Sequence, residues 1–213
     1  MGRKIIFLGV TSILAVTILA IFVLVLLPDS ALQKPTITEI PQTLESPVLT
    51  FLDPIRGSED AHITLVEYGD YSCPLCKTLE TDLVTLLTEA PGQRRLIWKD
   101  APNVQAHPDA FTLAMAARCA QDQGAFWEFH DVLFSSLVVL HADQLQSSAE
   151  NLGLDGDLFS TCMSSNNTRP IVQHTLEEAI ALGITSTPTL YINGHLYTGP
   201  LTLTGIRAAL QAL

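Results

Sequence analysis

The chain has 213 residues, 47% of them hydrophobic, with 11 Lys and Arg against 22 Asp and Glu for a net charge of −11. The length suits one domain with additions and can bury a sizeable core. The acidic balance argues against nucleic acid or an anionic membrane surface as a partner.

An uncharged apolar run from Ile5 to Leu27 follows Arg3 and Lys4. As a helix it would extend roughly 34 Å, against a hydrocarbon layer of roughly 30 Å. A signal peptide has a shorter apolar region, and "LLPDSALQ" is a poor cleavage site, so a retained anchor is expected over residues 5–27. The leading positive charges place residues 1–4 in the cytoplasm and the bulk of the chain outside. Setting Arg3 and Lys4 aside leaves 9 basic against 22 acidic residues, a net −13 for the exported part.

Pro28, Pro35, Pro41, Pro47 and Pro54 make residues 28–57 read as an extended stalk, with the folded domain at 58–213. "HITLVEYGDY" (62–71) is a buried-strand pattern. A helix follows, with Ser72 as its cap, Pro74 in its first turn and Leu79, Leu83, Leu86 and Leu87 at helical spacing. "RRLIWKD" (94–100) predicts a second strand, and Asp109 to Leu182 is mostly helical. "TPTLYING" and "HLYTG" predict a hairpin turning at Asn193-Gly194, before a closing helix over 202–213. The pattern is a mixed α/β sheet domain interrupted by a helical subdomain at about 106–182.

Cys73 and Cys76 stand at i and i+3 where strand gives way to helix. Thiols so spaced in a first helical turn can bridge with little strain. The helix terminus favours a thiolate on the first, making Cys73 an exposed nucleophile and Cys76 the resolving thiol one turn deeper. A zinc site would need a second ligand pair, and Cys119, Cys162 and the histidines offer no such spacing, so no metal is expected. A purely structural Cys73–Cys76 bridge would constrain very little chain. Glu67, six residues before Cys73, is a candidate buried acid for proton transfer to and from Cys76; the competing reading is a solvated strand position. Lys99 on the second strand is a candidate to tune it. Thr187-Pro188 opens the third strand. On the residues alone that bond reads as an ordinary trans proline, and a cis bond would offer the Thr187 backbone to a client.

"VEYGDYSCPLCK", "HPDAFTLAMAARCAQDQGAFWEFHDVLF" and "ALGITSTPTLYINGHLYTG" together resemble the DsbA-like thiol–disulfide oxidoreductases, in the branch with a helical insertion. The resemblance covers roughly residues 58–213. It implies a thioredoxin fold, Cys73 as nucleophile, Cys76 as resolving cysteine, Glu67 at the family's buried acid position and Thr187-Pro188 as a cis-proline loop. Pro74 and Leu75 would face the client with Thr187 and Pro188. The best-known oxidases of the family carry His where Leu75 stands, so the resemblance implies a milder oxidant here and leaves the direction of electron flow open.

Cys119 and Cys162 lie in the helical region among apolar neighbours. A structural disulfide between them is expected in an oxidising compartment, two buried free thiols being the other reading. Phe126, Phe129 and Leu133 form an aromatic-rich core stripe, with Trp127 and His130 either part of it or at a groove edge. The expected protein is a membrane-anchored, monomeric oxidoreductase acting on exported clients and reoxidised by a membrane partner. Its cofactor is the cysteine pair. A reductase or isomerase of the same fold, for example in cytochrome c maturation, and a redox-inert peptide-binding module are the alternatives.

Overall fold

The computed structural model describes residues 43–136 and 140–213. The expected anchor and the first half of the expected stalk lie outside them. Among the described residues no helix is long and apolar enough to cross a membrane.

Five strands form one sheet in the order β1-β3-β2-β4-β5: β1 Ile55–Gly57, β2 Ile63–Gly69, β3 Arg94–Asp100, β4 Thr189–Ile192 and β5 His195–Leu196. β2 and β3 run parallel, joined by helix α1 (Pro74–Glu89); the other neighbours pair antiparallel. Helices α2 (Ala110–Gln121), α3 (Phe126–Ser135), α4 (Ala142–Asn151), α5 (Gly156–Ser165) and α6 (Arg169–Ala181) come between β3 and β4, and α7 (Leu203–Gln211) closes the domain. This is the α/β architecture with a helical insertion that the sequence predicts. The β4–β5 turn is at Asn193-Gly194, both with positive φ (49° and 81°), the left-handed pair a tight hairpin demands.

Side-chain alternation along the strands separates the two faces. Leu65, Leu96, Leu190 and Ile192 pack against Leu79, Leu83 and Leu86 of α1 and Ile206 and Leu210 of α7. Val66, Tyr68, Ile97 and Tyr191 pack on the other face with Ala179 of α6. A third core, built from α2 to α6, reaches Tyr71, Cys73, Cys76 and Trp98, so the cysteine pair stands where insertion and sheet meet.

The stalk boundary is corrected by the structure. Residues 44–57 lie along the folded domain: Leu44 donates to Ala181 O at 2.9 Å, Val48 N to Glu178 Oε1 at 2.9 Å, and β1 pairs with β3. Proline spacing suggested an independent extended segment, but its hydrogen bonds are made to α6 and β3, both remote in sequence. The folded part therefore starts well before Ser58.

Candidate redox site

Helix α1 starts one residue later than the expected Ser72 cap. Cys73 takes the cap position with extended backbone (φ −85°, ψ 119°), and Pro74 fills the first helical position, where no N–H is needed. Ser72 does not cap: its N–H donates to Asp70 Oδ1 at 2.8 Å and its hydroxyl has no hydrogen-bond partner. Asp70 organises the whole turn. Its carbonyl accepts from Cys73 N, its carboxylate takes Asn103 N and His107 Nδ1, and its own N–H points at Cys76 Sγ, 3.5 Å away.

Both cysteines are free thiols. Cys73 is only 8% exposed, more enclosed than the tip position predicts, because Tyr71, Trp98 and the insertion pack around it. Leu75, by contrast, is 67% exposed, and with Pro74 it forms the projecting edge of the site. Cys76 is fully buried. Burial pushes its thiol up. The Cys73 thiol lies 3.5 Å from the Thr187 carbonyl oxygen. The Thr187–Pro188 bond is cis. Beside Thr187 a polar groove of about 250 Å³ runs between the loop after β3 (Ala101, Asn103, Gln105) and the Thr185–Thr187 loop.

Glu67 is buried completely, and neither carboxyl oxygen has a hydrogen-bond partner. It sits on β2 opposite Trp98 of β3 and Leu190 of β4, so apolar neighbours flank it on both sides. Burial first, then the charges of Glu80 and Cys73, hold it well above the usual carboxylate range. Its complete burial rejects the solvated-position reading. Gly69 makes room for the Trp98 indole: a Cβ there would overlap the ring.

Lys99 does not tune Glu67. In the parallel register Glu67 pairs with Trp98 and Tyr68 with Lys99, which puts Lys99 on the opposite face of the sheet. There it is buried with Asp53 Oδ1 at 2.9 Å, Glu178 Oε2 at 3.0 Å and Val48 O at 2.7 Å. Sequence reasoning missed Glu80, one turn beyond Cys76 on α1. Its Oε1 accepts from Arg56 Nη1 at 3.2 Å, and Arg56 also binds Asp131. Glu80, His130 and Asp131 bring three ligand-type atoms within 4.8 Å of one another, but the Arg56 guanidinium already bridges the two carboxylates. Glu80 stands at i+4 from Cys76, and that spacing is the signal that could have found it.

Cys119 and Cys162 are bridged, closing a separation of 43 residues and tying α2 to α5.

Comparison with known proteins agrees with this geometry. The thioredoxin family model matches residues 51–212. BdbD from Bacillus subtilis superposes with a TM-score of 0.69 at 20% identity, covering 80% of this chain and 96% of that one. The thiol-disulfide exchange protein alpha-DsbA2 from Wolbachia pipientis gives 0.67 at 23% identity, covering 76% and 87%. Such identities establish the shared fold. By sequence, the Na(+)/H(+) antiporter NhaA 1 of Salinispora arenicola is 35% identical over 160 residues, 75% of this chain and 24% of that protein. The chain thus spans about a quarter of the length of the curated relatives it matches.

Proposed function

The chain belongs to the thioredoxin family, and from that premise we propose that it exchanges disulfides with exported proteins through Cys73 and Cys76, acting as the oxidant. The observation that carries this reading is a pair of free thiols at a helix start with an unpartnered, fully buried carboxyl group, Glu67, on the strand that feeds the helix. A client thiolate attacks Cys73 Sγ of the Cys73–Cys76 disulfide. The client–Cys73 bond forms, the Cys73–Cys76 bond breaks, and the electron pair remains on the Cys76 sulfur. A bare thiolate is disfavoured at that buried position, and Glu67 is the acid that protonates it. A second client thiol then displaces Cys73, leaving an oxidised client and a reduced enzyme. Pro74, Leu75, Thr187 and Pro188 line the face the client meets.

The domain works outside the cytoplasmic membrane, anchored by residues 5–27 and reoxidised by a membrane redox partner. The Cys119–Cys162 bridge supports that location, since such bonds persist in oxidising compartments. The chain acts as a monomer, and the cysteine pair serves as its own redox cofactor. Run in reverse, the same site is a reductase or isomerase.

Equilibrating the pair against glutathione tests the proposal. A potential well above roughly −200 mV supports an oxidant; one near the thioredoxin value of about −270 mV makes the chain a reductant. A pair that never bridges leaves a redox-inert peptide-binding module. The antiporter relatives favour a second reading, service to a transport protein in the membrane. Trapping mixed disulfides on a Cys76→Ser variant in cells separates the two: exported soluble proteins support the first, a transporter the second.

A further inference from the structure

The polar groove beside Thr187 has two walls, and both are tied to Cys73. On one side the Thr187 carbonyl oxygen lies 3.5 Å from Cys73 Sγ. On the other, Asn103 N donates to Asp70 Oδ2 at 3.0 Å, and the Asp70 carbonyl accepts from Cys73 N at 3.0 Å. His107 Nδ1, 2.8 Å from the same Asp70 oxygen, fastens the far end of the Asn103 loop. One wall thus touches the nucleophile and the other is fixed to its turn, so the groove is in place before a client arrives. No side chain that lines it carries a charge, although the chain as a whole stands at −11. The walls present Asn103, Gln105, Thr185 and Ser186, and α6 adds Ala179 and Ile180. Gln105 is exposed, and among the described residues the amides of Thr185, Ser186 and Thr187 donate to no backbone carbonyl. An extended peptide can pair with such a free edge. Its side chains then meet neutral hydrogen-bonding groups and methyls. A polar uncharged side chain finds partners there, whereas a charged one loses water without meeting a counter-charge.

We propose that this groove is a client subsite, selecting an extended segment of uncharged polar residues beside the client's reactive cysteine. The inference rests on the disulfide-exchange reading and supplies the client chemistry which that reading leaves open. Asn103 and Gln105 provide the side-chain selection, and the Thr185–Thr187 edge provides the backbone pairing.

The test mixes the oxidised full chain with reduced peptides that carry two cysteines flanked by Ser and Thr, by Glu, or by Lys. Stopped-flow measurement gives the second-order rate of disulfide opening. Each rate is divided by the same peptide's rate with hydroxyethyl disulfide, which removes the reactivity of the peptide thiols themselves. The Ser/Thr peptide should exceed both charged peptides by roughly tenfold, at about 0.1 M salt and again at about 1 M, where long-range fields are screened. Gln105→Lys should shift the ratio of Glu to Lys peptide rates toward Glu, and Gln105→Glu toward Lys, each by roughly tenfold at about 0.1 M salt. Equal rates for the three peptides overturn the inference. So does an order of Lys above Ser/Thr above Glu that vanishes at high salt, which reads only the acidic field of the whole chain. Unchanged ratios in the folded Gln105 variants overturn it as well; should either variant fail to fold, the wild-type peptide series decides. A wild-type disulfide that dithiothreitol does not open overturns the exchange reading beneath it.

Discussion

Glu67 and Trp98 are register partners on parallel neighbouring strands, so the buried carboxyl and the indole share one face of the sheet. That pairing flanks the Glu67 carboxyl with apolar side chains, and burial holds it well above the usual carboxylate range. The folded state keeps a proton that the unfolded chain releases once pH passes the ordinary carboxylate range, near about 4.3. Stability from this group is therefore full below that pH and falls as pH rises toward the raised folded value. The loss can reach about 1.4 kcal/mol per pH unit across that window. Glu67→Gln should flatten this slope, leave the reduced protein more stable near neutral pH, and slow disulfide opening. Urea titrations at several pH values check the first two. A variant with the wild-type slope shows that Glu67 is ionised in the fold.

Lys99 yields a different expectation. It neutralises Asp53 and Glu178, both almost fully buried, and Glu178 also accepts from Tyr68 Oη at 2.5 Å and from Val48 N. Lys99→Met would leave two carboxylates without their cation, and breaking a buried pair by removing one partner costs about 3–5 kcal/mol. Denaturant unfolding should show that loss, with proteolysis gaining access to residues 44–53. The potential of the cysteine pair should not move. A shifted potential would return Lys99 to the redox site.

The contrast between these two residues shows what the sequence discloses. Cys73, Cys76 and Glu67 are legible because a strand running directly into a helix fixes their relative positions within ten residues. Thr187 reaches Cys73 from 114 positions away; the residues alone read its bond to Pro188 as trans, and the resemblance implied the cis bond that is found. Lys99 was misplaced because side-chain parity across neighbouring strands depends on register, and a one-residue offset reverses the face. Residues 44–57 read as stalk because their partners, Glu178, Ala181 and β3, are remote in sequence. His130, in the aromatic stripe, is fully buried, and its contact to Tyr71 arises from packing the insertion onto the active-site turn.

The Cys119–Cys162 bridge joins α2 to α5 within the insertion. Closing a separation of 43 residues contributes about 4 kcal/mol on the chain-entropy model. The double variant Cys119→Ala, Cys162→Ala should lose stability of that order while the remaining pair still exchanges with glutathione. Unfolding curves and thiol counts check both parts. A double variant as stable as wild type would mean that the insertion is held by its apolar core alone.

The two active-site thiols should differ sharply as nucleophiles. Cys76 is fully buried, and burial pushes its thiol up. Cys73 stands at the cap position of α1, where the helix dipole favours a negative charge. In the reduced protein iodoacetamide should label Cys73 faster by ~10-fold or more, since Cys76 is fully buried and burial disfavours its thiolate. Cys73→Ser should abolish exchange outright. Cys76→Ser should accumulate a stable mixed disulfide through Cys73, because no second thiol within reach can release the client. Mass spectrometry after timed alkylation and non-reducing gels of the two variants read these outcomes. Equal labelling of both thiols, or a trapped adduct on Cys73→Ser, would reverse the assignment of nucleophile and resolving residue.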